Sequence, residues 1–453
     1  MTIKEGSLEA PTRHPIDWKN PEYYDEAKIL AEQERVFDIC HGCRRCLSLC
    51  NAFPTLFDLI DAGSTGELDA VPRERFQDVV DNCYLCDMCY VVKCPYVPPH
   101  PWNVDFPHLM LRAKANEFRT GKLEHPVRDR LLSSTDRNGR LATIPVVVHL
   151  VNASARSKPL RALGEKAMAI DKDAWLPAYS PRPFRSHAAP SKPHPVRDGE
   201  RSPGKVAVYA TCYVNYNEPG IGHDLLRILD HNEIPYVIAE KEACCGMPKL
   251  EQGDLESVAA LKAKNIPVLA KLAREGYAIL TPVPSCTLRY KQELPRMLPD
   301  DDDVRAVRDA MLDPFEYLMA RKRDGLLRTE FPRALGKVAY HVPCHTRVQK
   351  MGPSTREALE SVPGTEVLVI ERCSGHAGTY GVKAEFHDTA LKIGRPVFGR
   401  IAEFAPDYFA SDCELAGHHI ADGLGENRGK AELKHPLTLL RMAYGLPDPE
   451  PER

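Results

Sequence analysis

A chain of 453 residues with a formal net charge of −3 has room for two to four packed domains and lacks the basic excess that nucleic acid selects. Hydrophobic residues make up 43% and charged residues 27%, the balance of a globular rather than a disordered protein. No apolar run reaches the roughly 18 residues of a membrane-spanning helix; the best, residues 144–151, is too short.

The opening Met1-Thr2-Ile3-Lys4-Glu5-Gly6 is polar and acidic where an export signal is basic and then apolar. A cytoplasmic location is therefore expected, with peripheral attachment to the membrane left open. In a long chain without an export signal, the 15 cysteines point to metal or redox chemistry rather than disulfides.

After a polar lead-in over residues 1–30, residues 31–125 carry two cysteine runs among short helical stretches. The first is Cys40, Cys43, Cys46 and Cys50; the second is Cys83, Cys86, Cys89 and Cys94, with Pro95 behind it. The first run has the C-x₂-C-x₂-C-x₃-C spacing of bacterial ferredoxins, in which three cysteines wrap one [4Fe–4S] cube and the fourth ligates the other. That rule groups Cys40, Cys43, Cys46 and Cys94 around one cluster, and Cys83, Cys86, Cys89 and Cys50 around a second. The second run has four residues between Cys89 and Cys94 instead of three, which is expected to enlarge the loop without removing a ligand. Structural zinc is the competing explanation, but zinc sites favour two well-separated C-x₂-C knuckles.

Residues 126–204 connect this part to the rest. Their second half is rich in proline, with Pro177, Pro181, Pro183, Pro190, Pro193, Pro195 and Pro203 close together, and reads as a linker that buries little and stays on the surface, part of it over a domain. From Lys205 onward short apolar runs alternate with helical patterns, which implies parallel α/β layers. Val206-Ala207-Val208-Tyr209 leads to Cys212, Tyr236-Val237-Ile238-Ala239 to Cys244 and Cys245, and Ala278-Ile279-Leu280 to Cys286. The order recurs: Lys337-Val338-Ala339-Tyr340 leads to Cys344, Val367-Leu368-Val369-Ile370 to Cys373, and Tyr408-Phe409-Ala410 to Cys413. Helical patterns fall near residues 224–229, 254–275 and 393–404. The recurrence is an internal duplication. The fold expected is α+β and multidomain: an α-helical bacterial-ferredoxin-like domain (31–125), a connecting and Pro-rich segment (126–204), a first α/β repeat (205–335) and a second, degenerate one (336–445).

Ala243-Cys244-Cys245-Gly246-Met247-Pro248 resembles the Cys-Cys-Gly motif of the heterodisulfide reductase B-subunit superfamily. Tyr340-His341-Val342-Pro343-Cys344-His345, Gly375-His376-Ala377-Gly378-Thr379-Tyr380-Gly381 and His435-Pro436-Leu437-Thr438-Leu439-Leu440 resemble its group of iron–sulfur subunits from anaerobic glycerol-3-phosphate dehydrogenase, glycolate oxidase and lactate-utilisation systems. The superfamily motif is a lone cysteine, a Cys-Cys-Gly and a C-x₂-C, and complete motifs hold noncubane clusters. Both repeats here depart from it. In the first, Arg289 stands where the last cysteine would be; in the second, Ser374 and Ala416 replace two cysteines. Four thiols in the first repeat leave a further iron–sulfur cluster open. In the second, Ser374, His345, His376, His418 or His419 would have to complete the three-thiol set, imidazole being an ordinary iron ligand.

No G-x-G-x-x-G follows an expected strand, since Gly220-Ile221-Gly222 lacks its third glycine, and there is no P-loop or H-E-x-x-H. A chain with clusters and no organic-cofactor site reads as a relay that needs a partner for two-electron chemistry. The resemblance implies a flavoprotein dehydrogenase of the glycerol-3-phosphate or hydroxy-acid type as donor and a quinone or other acceptor, with peripheral membrane contact. Three alternatives stand beside it: a disulfide or persulfide reductase acting at Cys244 and Cys245, with Lys241 and Lys249 as the nearby cations; an electron donor to a diiron peroxide-scavenging protein; and a docking scaffold whose carboxy-terminal cysteines are remnants.

Overall fold

The computed structural model describes residues 10–240 and 243–449; Met1 to Gly6 and Lys241 lie outside the described residues. The amino-terminal part is helical. Glu26–Cys43 begins where the Asp25 carboxylate accepts the Lys28 N–H, a standard way to satisfy a free helix donor, and it buries Ile29, Gln33, Val36 and Phe37 along one face. Ala52–Asp61 buries Ala52, Phe53, Leu56, Phe57 and Ile60 at helical spacing. Phe106–Thr120 starts at Asp105, whose carboxylate accepts the His108 N–H, and stops at Gly121 with φ 73°, a backbone state that favours glycine. The three faces share an aromatic core, with Phe53 and Phe106 rings 4.6 Å apart and Phe37 and Phe76 rings 5.1 Å apart. Each buried phenylalanine contributes about 1.5–3 kcal/mol, so the cysteine loops rest on a rigid floor.

The carboxy-terminal part is two parallel four-stranded sheets. The first comprises β1 (Val206–Val208), β2 (Tyr236–Ile238), β3 (Ala278–Leu280) and β4 (Met311–Leu312) in the order β2-β1-β3-β4. The second comprises β5 (Gly336–His341), β6 (Thr365–Ile370), β7 (Tyr408–Ser411) and β8 (Glu432–Leu433) in the order β6-β5-β7-β8. The identical order and the parallel pairing throughout are the duplication seen in the sequence. Strands β1 and β3 are wholly buried, as expected of strands covered on both faces. Strands β4 and β8 were not foreseen, because two residues carry no periodicity. Helices Leu255–Arg274 and His387–Phe404 match the helical patterns read near them. Every cysteine of both repeats follows the carboxyl end of a strand, where open α/β sheets place their ligands.

Between these parts the connecting segment is mostly helical: Pro126–Ser133, Thr135–Ala142, Val147–Arg156 and Lys158–Met168. The Pro-rich stretch behind them does drape over the first repeat. Phe184 is fully buried there, close to where a Cβ on Gly222 would lie, and the Ser180 N–H donates to the Tyr216 carbonyl at 2.7 Å.

The amino-terminal strap ties the helical part to the first repeat. The Arg13 side chain, 3% exposed, reaches Asp87 at 2.6 Å and Asp105 at 2.8 Å, with Glu293 at 3.6 Å. Asp87 lies between Cys86 and Cys89, so this one guanidinium anchors a cysteine loop. Arg13→Met leaves buried carboxylates without their cation and is expected to cost about 3–5 kcal/mol, read as a lower denaturant midpoint for the whole chain; an unchanged midpoint would show that the strap carries no load.

Candidate metal centres

The first cysteine set is built at a helix end. Cys40 and Cys43 close the helix Glu26–Cys43, and Arg44, at φ 49°, turns the chain left-handed toward Cys46. Cys94 arrives from the other run. The extra residue there is absorbed by a wide π-type turn over Cys89–Lys93, closed by the Cys94 N–H donating to the Cys89 carbonyl at 2.8 Å. Cys40, Cys43, Cys46 and Cys94 line one void, floored by Phe53, Phe57, Tyr96 and Val104. Burial, and then the charge of Cys94, Cys46 and Cys43, pushes the Cys40 thiol well above its usual range. Burial with Cys94 and Cys43 pushes Cys46 up to about 12.

The second set, Cys83, Cys86, Cys89 and Cys50, sits behind the first. Its loop curls through Leu85 and Asp87, at φ 53° and 60°, a left-handed conformation that aspartate tolerates better than leucine. Burial and then Cys86 and Cys83 raise Cys89, which Cys46 of the first set and Cys50 also raise. Burial and then Cys83 raise Cys50. A local device recurs at these sulfurs. The backbone N–H two residues ahead is turned onto the thiol: Ala52 onto Cys50, Leu85 onto Cys83, Met88 onto Cys86 and Tyr96 onto Cys94. Such donors stabilise an anionic sulfur and tune whatever it ligates.

The second repeat brings Cys344, Cys373 and Cys413 into one neighbourhood, and that neighbourhood adjoins the second set. Cys86 is raised by burial and then by Cys344, Cys50 and Cys373. Cys50, Cys86 and Cys373 pack against Tyr84, Tyr380 and Ala390, and the Tyr84 and Tyr380 rings lie 4.8 Å apart. No sequence signal announced this contact between segments almost 300 residues apart. The proposed fourth groups differ in their surroundings. His418 is stacked on Trp175 at 4.1 Å and hydrogen-bonded to Glu218 at 3.1 Å. The Ser374 hydroxyl accepts the His376 N–H. His345 holds Ser285 at 2.8 Å and lies against the Leu85 backbone, and His419 lies against the Ala390 backbone, while Nε2 of His376 has no partner. Three thiols fall short of a four-thiolate set.

In the first repeat the four thiols are packed together. Cys212 lies 3.9 Å from Cys244, and Cys286 lies 3.1 Å from Cys245, distances too long for a disulfide. Thr135, from the connecting segment, reaches Cys212 and Cys244 at 3.3 Å each. Gly246, at φ 90°, lets its N–H and that of Met247 point back at Cys244 and Cys245, both at 3.4 Å. Asn265 clamps this turn, accepting the Ala243 N–H at 2.8 Å and donating to the Cys244 carbonyl at 3.1 Å. Thr135 and Asn265 belong to no motif, and sequence reasoning missed both. Hydrogen bonds from Cys212 and Cys245 hold the Cys244 thiol well below its usual range. Lys249 takes no part, since it pairs with Asp254. Arg289, in place of the missing cysteine, is 1% exposed, and its Nε and one terminal nitrogen have no partner. Burial lowers its proton affinity, which Glu293, Cys245 and Tyr290 partly restore. A thiolate has thus been exchanged for a buried cation beside the remaining thiols.

These four thiols and Cys413 open on a single cavity of about 660 Å³ between the two repeats, roofed by the connecting helices. All 15 cysteines are free of disulfides. Among the described residues, no group of three or more His, Cys, Asp or Glu side chains closes in tightly enough for a single metal ion. Four thiolates around one void repel one another, and a positively charged group of several irons cancels that repulsion while spanning more space than one zinc.

Residues 206–291 and 338–420 each match a cysteine-rich domain family. The chain is 31% identical over 351 residues, 76% of its own length and 83% of the relative's, to the C-subunit of anaerobic glycerol-3-phosphate dehydrogenase from Escherichia coli strain K12. It is 30% identical over 252 residues to the B-subunit of the fumarate reductase (CoM/CoB) from Methanothermobacter marburgensis, covering 54% of this chain and 48% of that one. It is 28% identical over 240 residues to an uncharacterized iron–sulfur protein of Methanocaldococcus jannaschii, covering 52% and 45%.

Proposed function

Because this chain belongs to the cysteine-rich-domain family of redox proteins that includes the C-subunit of anaerobic glycerol-3-phosphate dehydrogenase, we propose that it is an electron-relay subunit. It takes electrons from a flavoprotein dehydrogenase of the glycerol-3-phosphate or hydroxy-acid type and delivers them to a quinone or another acceptor. One observation carries this reading. Cys40, Cys43, Cys46 and Cys94 share one void, the charge of Cys46 is felt at Cys89, that of Cys344 at Cys86 and that of Cys413 at Cys344, and Cys413 shares a cavity with Cys212, Cys244, Cys245 and Cys286.

Cys40, Cys43, Cys46 and Cys94 would hold one [4Fe–4S] cluster and Cys83, Cys86, Cys89 and Cys50 a second, on a ferredoxin-like helical domain. The four thiols of the first repeat would hold a further iron–sulfur group. Bound there, such groups supply one-electron transfer. The chain's own part is to keep the thiols close, turn backbone N–H donors onto them and exclude water. Around the first set, the loops bearing Cys46 and Cys94 also carry Leu47 and Val92, 53% and 50% exposed, an apolar contact for an incoming partner.

The other end of the line suits a membrane surface. No helix is long and apolar enough to cross a membrane among the described residues. Yet most of the large hydrophobic residues left exposed fall in 126–168, among them Val127, Leu141, Val146, Leu150 and Leu163. That segment also has eight Lys or Arg against three Asp or Glu, in a chain that is acidic overall. Apolar side chains edged by cations are the signature of a helix lying on an anionic bilayer.

Anaerobically prepared protein is expected to contain about eight irons or more per chain, and Cys94→Ser to lose about four of them; stoichiometric zinc without iron would end the relay reading. The chain is expected to sediment with anionic vesicles and release in high salt, while the Leu150→Asp, Leu163→Asp double variant loses at least about tenfold in vesicle affinity; equal binding by the variant would remove the membrane contact and leave the relay standing.

A further inference from the structure

The cavity over the first repeat is far larger than the void at the first cysteine set, and about 660 Å³ is ample for a small organic ligand. Its lining is of two kinds: the thiols with Thr135, Tyr213 and His376, and the apolar Leu132, Val151, Met168, Ile170 and Leu176. Leu131, Leu141 and Leu160, which also line it, are 39%, 57% and 51% exposed, so the cavity reaches the surface at the helices that present apolar side chains outward.

Two polar groups of the lining are unspent. Nε2 of His376, on a side chain 6% exposed, and the Tyr213 hydroxyl are buried and have no hydrogen-bond partner. Leaving such groups unpaired costs free energy that a ligand with two oxygens would recover. An anionic ligand finds little there. Arg161, the only Lys or Arg lining the cavity among the described residues, already donates to the Asp171 and Ala174 carbonyls at 2.6 Å each.

We propose that this cavity is the binding site of a lipid-soluble quinone, with the ring against Tyr213 and His376 beside the thiols and the isoprenoid tail along the apolar wall toward the mouth. The proposal rests on the relay reading for its electrons and names the acceptor of that line. Conversion of the bound quinone to quinol takes two electrons, which originate in the flavoprotein partner, and two protons from solvent. The quinone carbonyl oxygens become hydroxyls and no other bond is broken. Tyr213 and His376 bind and orient the ring, and the exposed apolar mouth admits the ligand from lipid.

Gly164 lines the cavity, and a Cβ built on it meets no atom within 4 Å, so the position is open to a larger side chain. Decylubiquinone titrated calorimetrically into the full chain, prepared anaerobically, is expected to bind saturably at one site. Gly164→Phe and Tyr213→Phe are each expected to weaken it by at least about tenfold, with iron content and reduced-protein spectra unchanged. Oxidised glutathione, a charged disulfide, is expected neither to bind nor to compete. No saturable binding, wild-type affinity in Gly164→Phe, or displacement by glutathione would each overturn the assignment. Iron content and spectra report on the relay separately, so either idea can fail alone.

Discussion

Buried thiolates that lie close together repel one another, and in a low-dielectric interior that repulsion is strong. Cys40, Cys86 and Cys89 all bind protons far more tightly than an ordinary thiol, through burial first and neighbouring sulfur charge second. A cationic group among them converts the repulsion into binding, at the expense of the protons. The remaining architecture keeps those sulfurs where only such a group relieves them. The Phe53 and Phe106 core fixes the helix ends, Arg13 anchors the Asp87 loop, and backbone donors aim at the sulfurs. Stability and cofactor chemistry are therefore one problem in the amino-terminal third.

The duplicated sheets show the same constraint resolved in two ways. The first repeat keeps four thiols in mutual contact and offsets the lost fifth with Arg289, whose buried cation faces Cys245. The second lacks two of the motif's thiols; of those remaining, Cys373 packs in one cluster with Cys50 and Cys86, and Cys413 lines the cavity. Degeneracy of that motif goes with a change of position in the molecule: it lies between two cysteine sets rather than standing alone.

Much of this was legible from spacing. Three cysteines two residues apart, with a fourth that cannot reach the same cube, grouped Cys94 with Cys40 and Cys50 with Cys83, and Cys40, Cys43, Cys46 and Cys94 do line one void. Six of the eight strands were visible because buried parallel strands are continuous apolar runs ending at cysteines. The roof over the cavity was not. Residues 147–156 are mostly apolar and 158–168 mix apolar with charged side chains, without a cofactor motif, and the prolines behind them drew attention to the linker. Nor could Thr135, Asn265 or the packing of Cys86 with Cys373 around Tyr84 and Tyr380 be read, since each depends on how distant segments dock. Pairing within a loop is written in local spacing; pairing between domains is written in surfaces that only the folded chain displays.

The central claim is that the two amino-terminal cysteine sets hold neighbouring iron–sulfur groups at the head of a continuous line. Electron paramagnetic resonance of the anaerobically reduced full chain tests this most directly. Two spins per chain in the amino-terminal sets, broadened and split by their mutual magnetic interaction, are expected, with the interaction abolished in Cys94→Ser. Two sharp, independent signals, or no iron-based signal in reduced protein that contains its full complement of metal, would contradict it.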